Sequence, residues 1–152
     1  MIIISHRGNI NGPELEKENH PEYIDAAIAK GFDVEVDIWM ISNVNWTDKI
    51  FLGHDGPEYE VSKDWLMDRK DKLWVHCKNL KAASLLSGDL RCFGSEHDPF
   101  CYMSQGHIWV NNVDVKPVPN CVVPLLGLED IKTYRFMDSA FAICTDYPEE
   151  LP

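Results

Sequence analysis

Apolar and polar positions alternate regularly between Phe32 and Ile41, where Val34, Val36 and Ile38 are interleaved with Asp33, Glu35 and Asp37. A period of two marks extended backbone, so this segment predicts a strand with one apolar face and one face of carboxylates. The same period returns over Leu73 to Lys78, with Leu73, Val75 and Cys77 on one side and Trp74, His76 and Lys78 on the other. Shorter apolar runs at Ile2 to Ser5, Ile50 to Gly53, Arg91 to Phe93, Gly106 to Val110, Cys121 to Pro124 and Ala140 to Thr145 predict further strands.

Helical signals fall between these runs. His20-Pro21 opens a helix with proline in its tolerated first position, Ile24, Ala27 and Ile28 along one face, and Gly31 as the stop. Ser62 caps a second helix through Trp65, Leu66 and Arg69, a third spans Leu80 to Leu86 before Gly88, and Glu129 to Phe136 predicts a weak fourth. Strands that alternate with helices imply an α/β fold with a largely parallel sheet, open or closed into a barrel. No low-complexity linker, charge block or internal repeat divides the 152 residues, so 1–152 reads as one domain, and 45% apolar residues suffice for a core.

Charge narrows the partners. Acids outnumber Lys and Arg by 25 to 14, for a net charge of -11. Such a surface repels nucleic acids and anionic membranes, so a phosphate ligand would have to be held by a local cluster. The five cysteines, at 77, 92, 101, 121 and 144, are irregularly spaced and form no Cys-x-x-Cys pair, which argues against a zinc finger and a disulfide framework. No apolar run approaches membrane-spanning length and the opening residues lack a secretory signal, so a cytoplasmic protein without integral membrane association is expected.

The chemistry gathers at one end of the predicted strands. His6 and Arg7, Glu35 and Asp37, His54 and Asp55, and His76 and Lys78 all lie late in, or just beyond, a strand. In parallel α/β folds that end carries the functional groups. Residues 35 and 37 share a side, with alpha carbons roughly 6.5 Å apart from a rise of about 3.3 Å per residue, so their carboxylates can converge on one cation. A lysine buried on such a face needs a counter-charge or an anionic ligand. A solvated strand face would carry the same acids and an edge strand the same lysine; the recurrence of polar pairs at one end weighs against both.

The segments "SHRG" at 5 to 8, "EN" at 18 and 19, "VEVDIWM" at 34 to 40 and "LGHD" at 52 to 55 resemble, in order and spacing, the glycerophosphodiester phosphodiesterases of the phospholipase-C-like superfamily. "LWVHCKN" and the terminal "ICTDYP" resemble the family more faintly, and residues 85 to 138 carry no trace of it. The resemblance implies a (β/α)8 barrel of the TIM type and metal-dependent hydrolysis of a small phosphodiester of the kind met in lipid metabolism. It implies His6 and His54 as general acid and base, Arg7 and Lys78 on the phosphate, and Glu35 and Asp37 on a divalent metal, Mg²⁺ or Ca²⁺. Glu18 and Asn19 would brace the His6 loop. Asp55 would orient His54 or cap a turn, and Asp146 would reach the site or end the last strand.

Two departures shape the expectation. His76 stands where the family has a glutamate on the metal, and imidazole favours softer ions, which brings Mn²⁺ or Zn²⁺ into range with His76 as a ligand. A full barrel of this type takes about 250 residues. A 152-residue chain is therefore expected to form a trimmed barrel with several outer helices missing or reduced, its exposed strands covered by a second copy in a homodimer. The alternative to an enzyme is a protein that binds a phosphorylated polyol or sugar without turnover. His97, His107 and the tryptophans at 39, 74 and 109 are candidates for a pocket lining, although tryptophan more often belongs to the core.

Overall fold

The computed structural model describes residues 1–42, 44–45, 47–94 and 97–152. In chain order the elements are β1 (Ile2–His6), α1 (Pro21–Ala29), β2 (Asp33–Ser42), β3 (Asp48–Leu52), β4 (Tyr59–Val61), α2 (Lys63–Asp68), β5 (Leu73–Cys77), α3 (Leu80–Leu86), β6 (Arg91–Phe93), β7 (Phe100–Tyr102), β8 (Ile108–Val110), β9 (Cys121–Pro124), α4 (Leu128–Thr133) and β10 (Ala142–Thr145). The helices start where short polar side chains can accept from exposed backbone N–H groups. Ser62 Oγ accepts from Trp65 N at 3.0 Å, Asn79 Oδ1 from Ala82 N at 3.0 Å, and the His20 ring from Glu22 N at 3.2 Å.

The ten strands form one mixed, mostly parallel sheet. Its parallel part runs β6-β5-β2-β1-β10-β9-β8, and β7 joins β8 antiparallel at the far edge. The distal half of β2 outgrows its parallel neighbours and turns back as β3 and β4 in an antiparallel ribbon. No strand ladder joins β6 to β8 among the described residues. Ser104 borders β6, its Oγ accepting from Cys92 N at 2.8 Å and donating to Leu90 O at 2.6 Å.

Several expectations shift. The run at Ile50 to Gly53 is a strand, but it pairs antiparallel as part of β3 instead of continuing the parallel alternation. The predicted strand at Gly106 to Val110 begins only at Ile108, because Gln105 at φ 69° and Gly106 at φ 88° break extended backbone in a short 3-10 turn. The helix predicted over Glu129 to Phe136 shortens to α4, with a separate 3-10 turn at Met137–Ser139. No helix of the described residues is long and apolar enough to cross a membrane.

Alternation then divides the sheet into two faces. Val34, Val36 and Ile38 of β2 pack with Ile24, Leu66, Val75, Leu86 and Cys92 under α1, α2 and α3, while Val123, Ile143 and Leu125 pack near α4. The opposite face gathers Ile4, Trp74, Phe93, Trp109, Val122, Ala142 and Cys144 into a second core. Trp74 and Trp109 are thus core residues, whereas Trp39 is half-buried with its indole N–H donating to Gly53 O at 2.7 Å. Asp33, Glu35 and Asp37 belong to this second face and are all buried.

Candidate metal and acid-base site

Parallel register sets the geometry. His6 lies opposite Glu35 across β1 and β2, and Asp37 opposite His76 across β2 and β5. The backbone continues past each strand end in a tethered way: Arg7 N donates to Glu35 O at 2.9 Å, Lys78 N to Ile38 O at 2.9 Å and Gly53 N to Asp37 O at 3.1 Å. Arg7 and Asn19 both adopt left-handed backbone, at φ 54° and 62°, which costs a non-glycine residue energy and is held here by the Asn19 N–H donating to Arg7 O at 3.0 Å. Gly8 between them, at φ 90°, leaves no room for a side chain, since a Cβ would fall 2.9 Å from the Tyr23 ring.

Asp37 is the hub. Its Oδ1 faces His76 Nδ1 at 2.9 Å and Lys78 Nζ at 3.8 Å; its Oδ2 faces Arg7 Nε at 3.0 Å and accepts from Asn19 Nδ2 at 2.9 Å. Asn19 closes a two-point grip by accepting from Asp37 N at 2.9 Å. Burial pushes the Asp37 carboxyl up, but the His76 hydrogen bond, the Arg7 charge and Asn19 outweigh it and hold the group at about 2.

Glu35 is treated differently. It is buried, its Oε2 accepts no hydrogen bond among the described residues, and that oxygen faces His6 Nε2 at 3.9 Å. Burial, reinforced by the neighbouring Asp37 charge, pushes its carboxyl well above the usual range. A buried carboxylate oxygen without a donor is costly, and such groups are a recurrent mark of a ligand position.

His6 is held from behind. Its Nδ1 faces Asp146 Oδ1 at 2.7 Å. A carboxylate can only accept, so Nδ1 carries the hydrogen and Nε2 is left to take a proton on the side of Glu35. Asn9, fully buried, donates from Nδ2 to Asp146 Oδ1 at 2.8 Å and to Glu18 Oε1 at 2.9 Å, and Glu18 Oε2 in turn accepts from Arg7 Nη1 at 2.9 Å. One continuous chain of contacts therefore runs His6, Asp146, Asn9, Glu18, Arg7, Asp37, His76. The Arg7 guanidinium is raised further despite its burial, because Asp37, Glu35 and Glu18 surround it.

Of the residues read from the sequence, the fold brings His6, Arg7, Glu35, Asp37, His76 and Lys78 together. His54 is not among their contacts: its Nδ1 faces Asp55 Oδ1 at 2.7 Å and its side chain is 41% exposed, although Gly53 anchors its backbone next to Asp37. No family model, curated protein or solved structure matches the chain. Asn9 was not legible beforehand, since an asparagine after Arg-Gly reads as an ordinary turn residue. His107 packs between Trp74 and Phe141, away from this cluster.

One donor atom each from Glu35, Asp37 and His76 lies within 4.8 Å of the others, a spacing that fits a single cation. The pairing agrees: Arg7 is matched by Glu18 and Asp37 and Lys78 by Asp37, while Glu35 faces the His6 ring at 3.9 Å. The donor set and the unpaired Glu35 oxygen both fit a divalent ion.

Proposed function

We propose that this protein is a metal-dependent phosphoric diester hydrolase acting on a small substrate of the glycerophosphodiester type, on a trimmed (β/α) barrel. The strand order β6-β5-β2-β1-β10-β9-β8 with its polar groups at the carboxyl ends supports the barrel reading. The observation that carries the activity is a single one: an acid-base histidine oriented by a carboxylate faces a buried carboxylate pair, with Arg7 and Lys78 alongside.

A phosphodiester is a stable anion, so its cleavage needs charge neutralised, a hydroxyl deprotonated and an alkoxide protonated. Glu35, Asp37 and His76 would hold the divalent ion, which supplies Lewis-acid polarisation of a phosphoryl oxygen when bound. Lys78 and Arg7 add fixed positive charge toward the phosphate. His6 Nε2, with its tautomer fixed by Asp146, takes the proton from the attacking hydroxyl, either water or the substrate's own neighbouring alcohol. The leaving oxygen is protonated by His54 after its side chain leaves Asp55, a rotation about its own side-chain bonds from an anchored backbone.

Release of nitrophenol from bis(p-nitrophenyl) phosphate by chelated protein, with divalent ions restored one at a time, tests this reading. Turnover that needs an ion and is lost in His6→Ala supports it; turnover in His6→Ala equal to wild type would end it. A second reading, a binding protein for a phosphorylated polyol or sugar, is favoured by the outward position of His54. It predicts saturable binding of a sugar phosphate with no nitrophenol release under any ion.

A further inference from the structure

The nitrogen in the donor set decides more than whether an ion binds. We propose that the ion held by Glu35, Asp37 and His76 is a borderline transition ion of the Mn²⁺, Fe²⁺ or Zn²⁺ class, chosen over Mg²⁺ and Ca²⁺ by the His76 imidazole. The inference rests on the cation reading of the site given above, and it replaces the expectation of Mg²⁺ or Ca²⁺.

Four observations carry it. First, the cluster combines an imidazole nitrogen with carboxylate oxygens, a mixed set in which the nitrogen suits Zn²⁺ and Fe²⁺ and the oxygens suit Mn²⁺, whereas Ca²⁺ and Mg²⁺ take oxygen ligands, six to eight of them around Ca²⁺. Second, the ring is already aimed. It is 12% exposed and stacks on Phe93 with centroids 4.9 Å apart and planes 7° from parallel, and Phe93 stacks in turn on Trp109 at 4.1 Å. A ring fixed in its plane loses little freedom on ligation.

Third, His76 Nδ1 and Asp37 Oδ1 are 2.9 Å apart. That is the length of the hydrogen bond they share, so Nδ1 becomes a ligand only by giving up its proton, and an ion with a strong bond to imidazole nitrogen displaces that proton more readily than one that prefers oxygen. Fourth, Arg7 Nε and Lys78 Nζ already lie 3.0 and 3.8 Å from the Asp37 oxygens. They weaken the attraction for a hard ion that depends on charge, and weaken it less for one whose bond to nitrogen is partly covalent. The unpaired, buried Glu35 Oε2 completes the set as an oxygen ligand awaiting a partner.

Calorimetric titration of the chelator-dialysed full chain with Mn²⁺, Zn²⁺, Mg²⁺ and Ca²⁺, in wild type and His76→Glu, tests the inference without any substrate. Mn²⁺ and Zn²⁺ are expected to bind at least about 100-fold more tightly than Mg²⁺ or Ca²⁺ in wild type, with the gap shrinking about tenfold or more in His76→Glu. Electron spin echo on the Mn²⁺-loaded wild type is expected to show modulation from a directly bonded nitrogen, absent in His76→Gln. That second variant serves if His76→Glu fails to fold by circular dichroism. Equal affinities for all four ions, a gap unmoved by substitution, or no nitrogen signal would overturn the inference while leaving the cation site standing. Failure of all four ions to bind would overturn both.

Discussion

Asp33 and Glu35 are two residues apart on the same face of β2, and both are buried. At the amino end of the strand, Asp33 Oδ1 pairs with Lys72 Nζ at 2.9 Å, while its Oδ2 accepts from the Trp74 indole at 3.0 Å and faces Arg91 at 3.6 Å. Arg91 also lies over the Trp74 ring at 4.6 Å, so the charges and the ring close a plug in which Asp33 has a partner on each oxygen. At the carboxyl end, Glu35 has an oxygen with no donor among the described residues, and Asp37 is held ionised by His76, Arg7 and Asn19. Carboxylates on one face of one strand therefore stand in two different surroundings. Where partners come from the fold the carboxylate is structural; the carboxylate that lacks one is the position that the proposed function gives to an ion.

That contrast gives substitutions opposite expected signatures. The largest effect is His6→Ala, expected to reduce turnover by about 10²- to 10⁴-fold while moving the urea midpoint little, because an acid-base group is removed without opening the core. Asp33→Ala should do the reverse: it leaves Lys72, Arg91 and the Trp74 N–H facing a void and should cost about 2–4 kcal/mol in urea unfolding, with turnover per folded molecule unchanged. A turnover loss in Asp33→Ala beyond its loss of folded protein would erase the distinction between the two ends.

Asp146→Asn is expected to lower kcat by about 10- to 100-fold and to alter the acid limb of the pH–rate profile, because the amide can donate to His6 Nδ1 and so favour the wrong tautomer. A purely structural role for Asp146 would leave that profile unmoved. Smallest, and of opposite sign to most substitutions, Glu35→Gln should stabilise the chelated protein by about 1 kcal/mol at pH 7.

The pH dependence follows from the same pair. Glu35 has a folded-state pKa above its ordinary value, so the folded form holds the proton more tightly; its contribution grows as pH falls through the raised value and is complete below the ordinary one. Asp37, held at about 2, acts oppositely: its contribution is present above its ordinary value of 3.8 and is lost as pH falls toward 2. Urea unfolding of chelated wild type between pH 7 and 5 should therefore gain stability relative to Glu35→Gln, and the gain should vanish if Glu35 has an unperturbed carboxyl.

Much of the frame could be read from the chain because its signals are local. The alternation in β2, the Pro21 start of α1, the Ser62 cap of α2 and the paired polar residues at strand ends each depend on a few neighbouring side chains. What escaped depends on distant ones. β4 and β7 are too short, at Tyr59–Val61 and Phe100–Tyr102, for alternation to register, and β3 turns antiparallel because β2 runs past the strands beside it. Asp146 becomes the partner of His6 only because β10 lies beside β1, 140 residues away in the chain. Asp55 as a partner of His54 is one of two readings of the sequence, but the exposure of that ring is a side-chain rotation on which sequence spacing has no bearing.

The most direct test of the central claim, that the unpaired Glu35 oxygen is a cation ligand, is thermal unfolding of wild type and Glu35→Gln with and without saturating Mn²⁺. An ion that binds only the folded form raises the melting temperature according to its affinity, by about 2.7 kcal/mol of stability at 100 times its Kd. The account predicts a clear rise for wild type, almost none for Glu35→Gln, and a chelated variant more stable than chelated wild type. Equal rises in both proteins would contradict it.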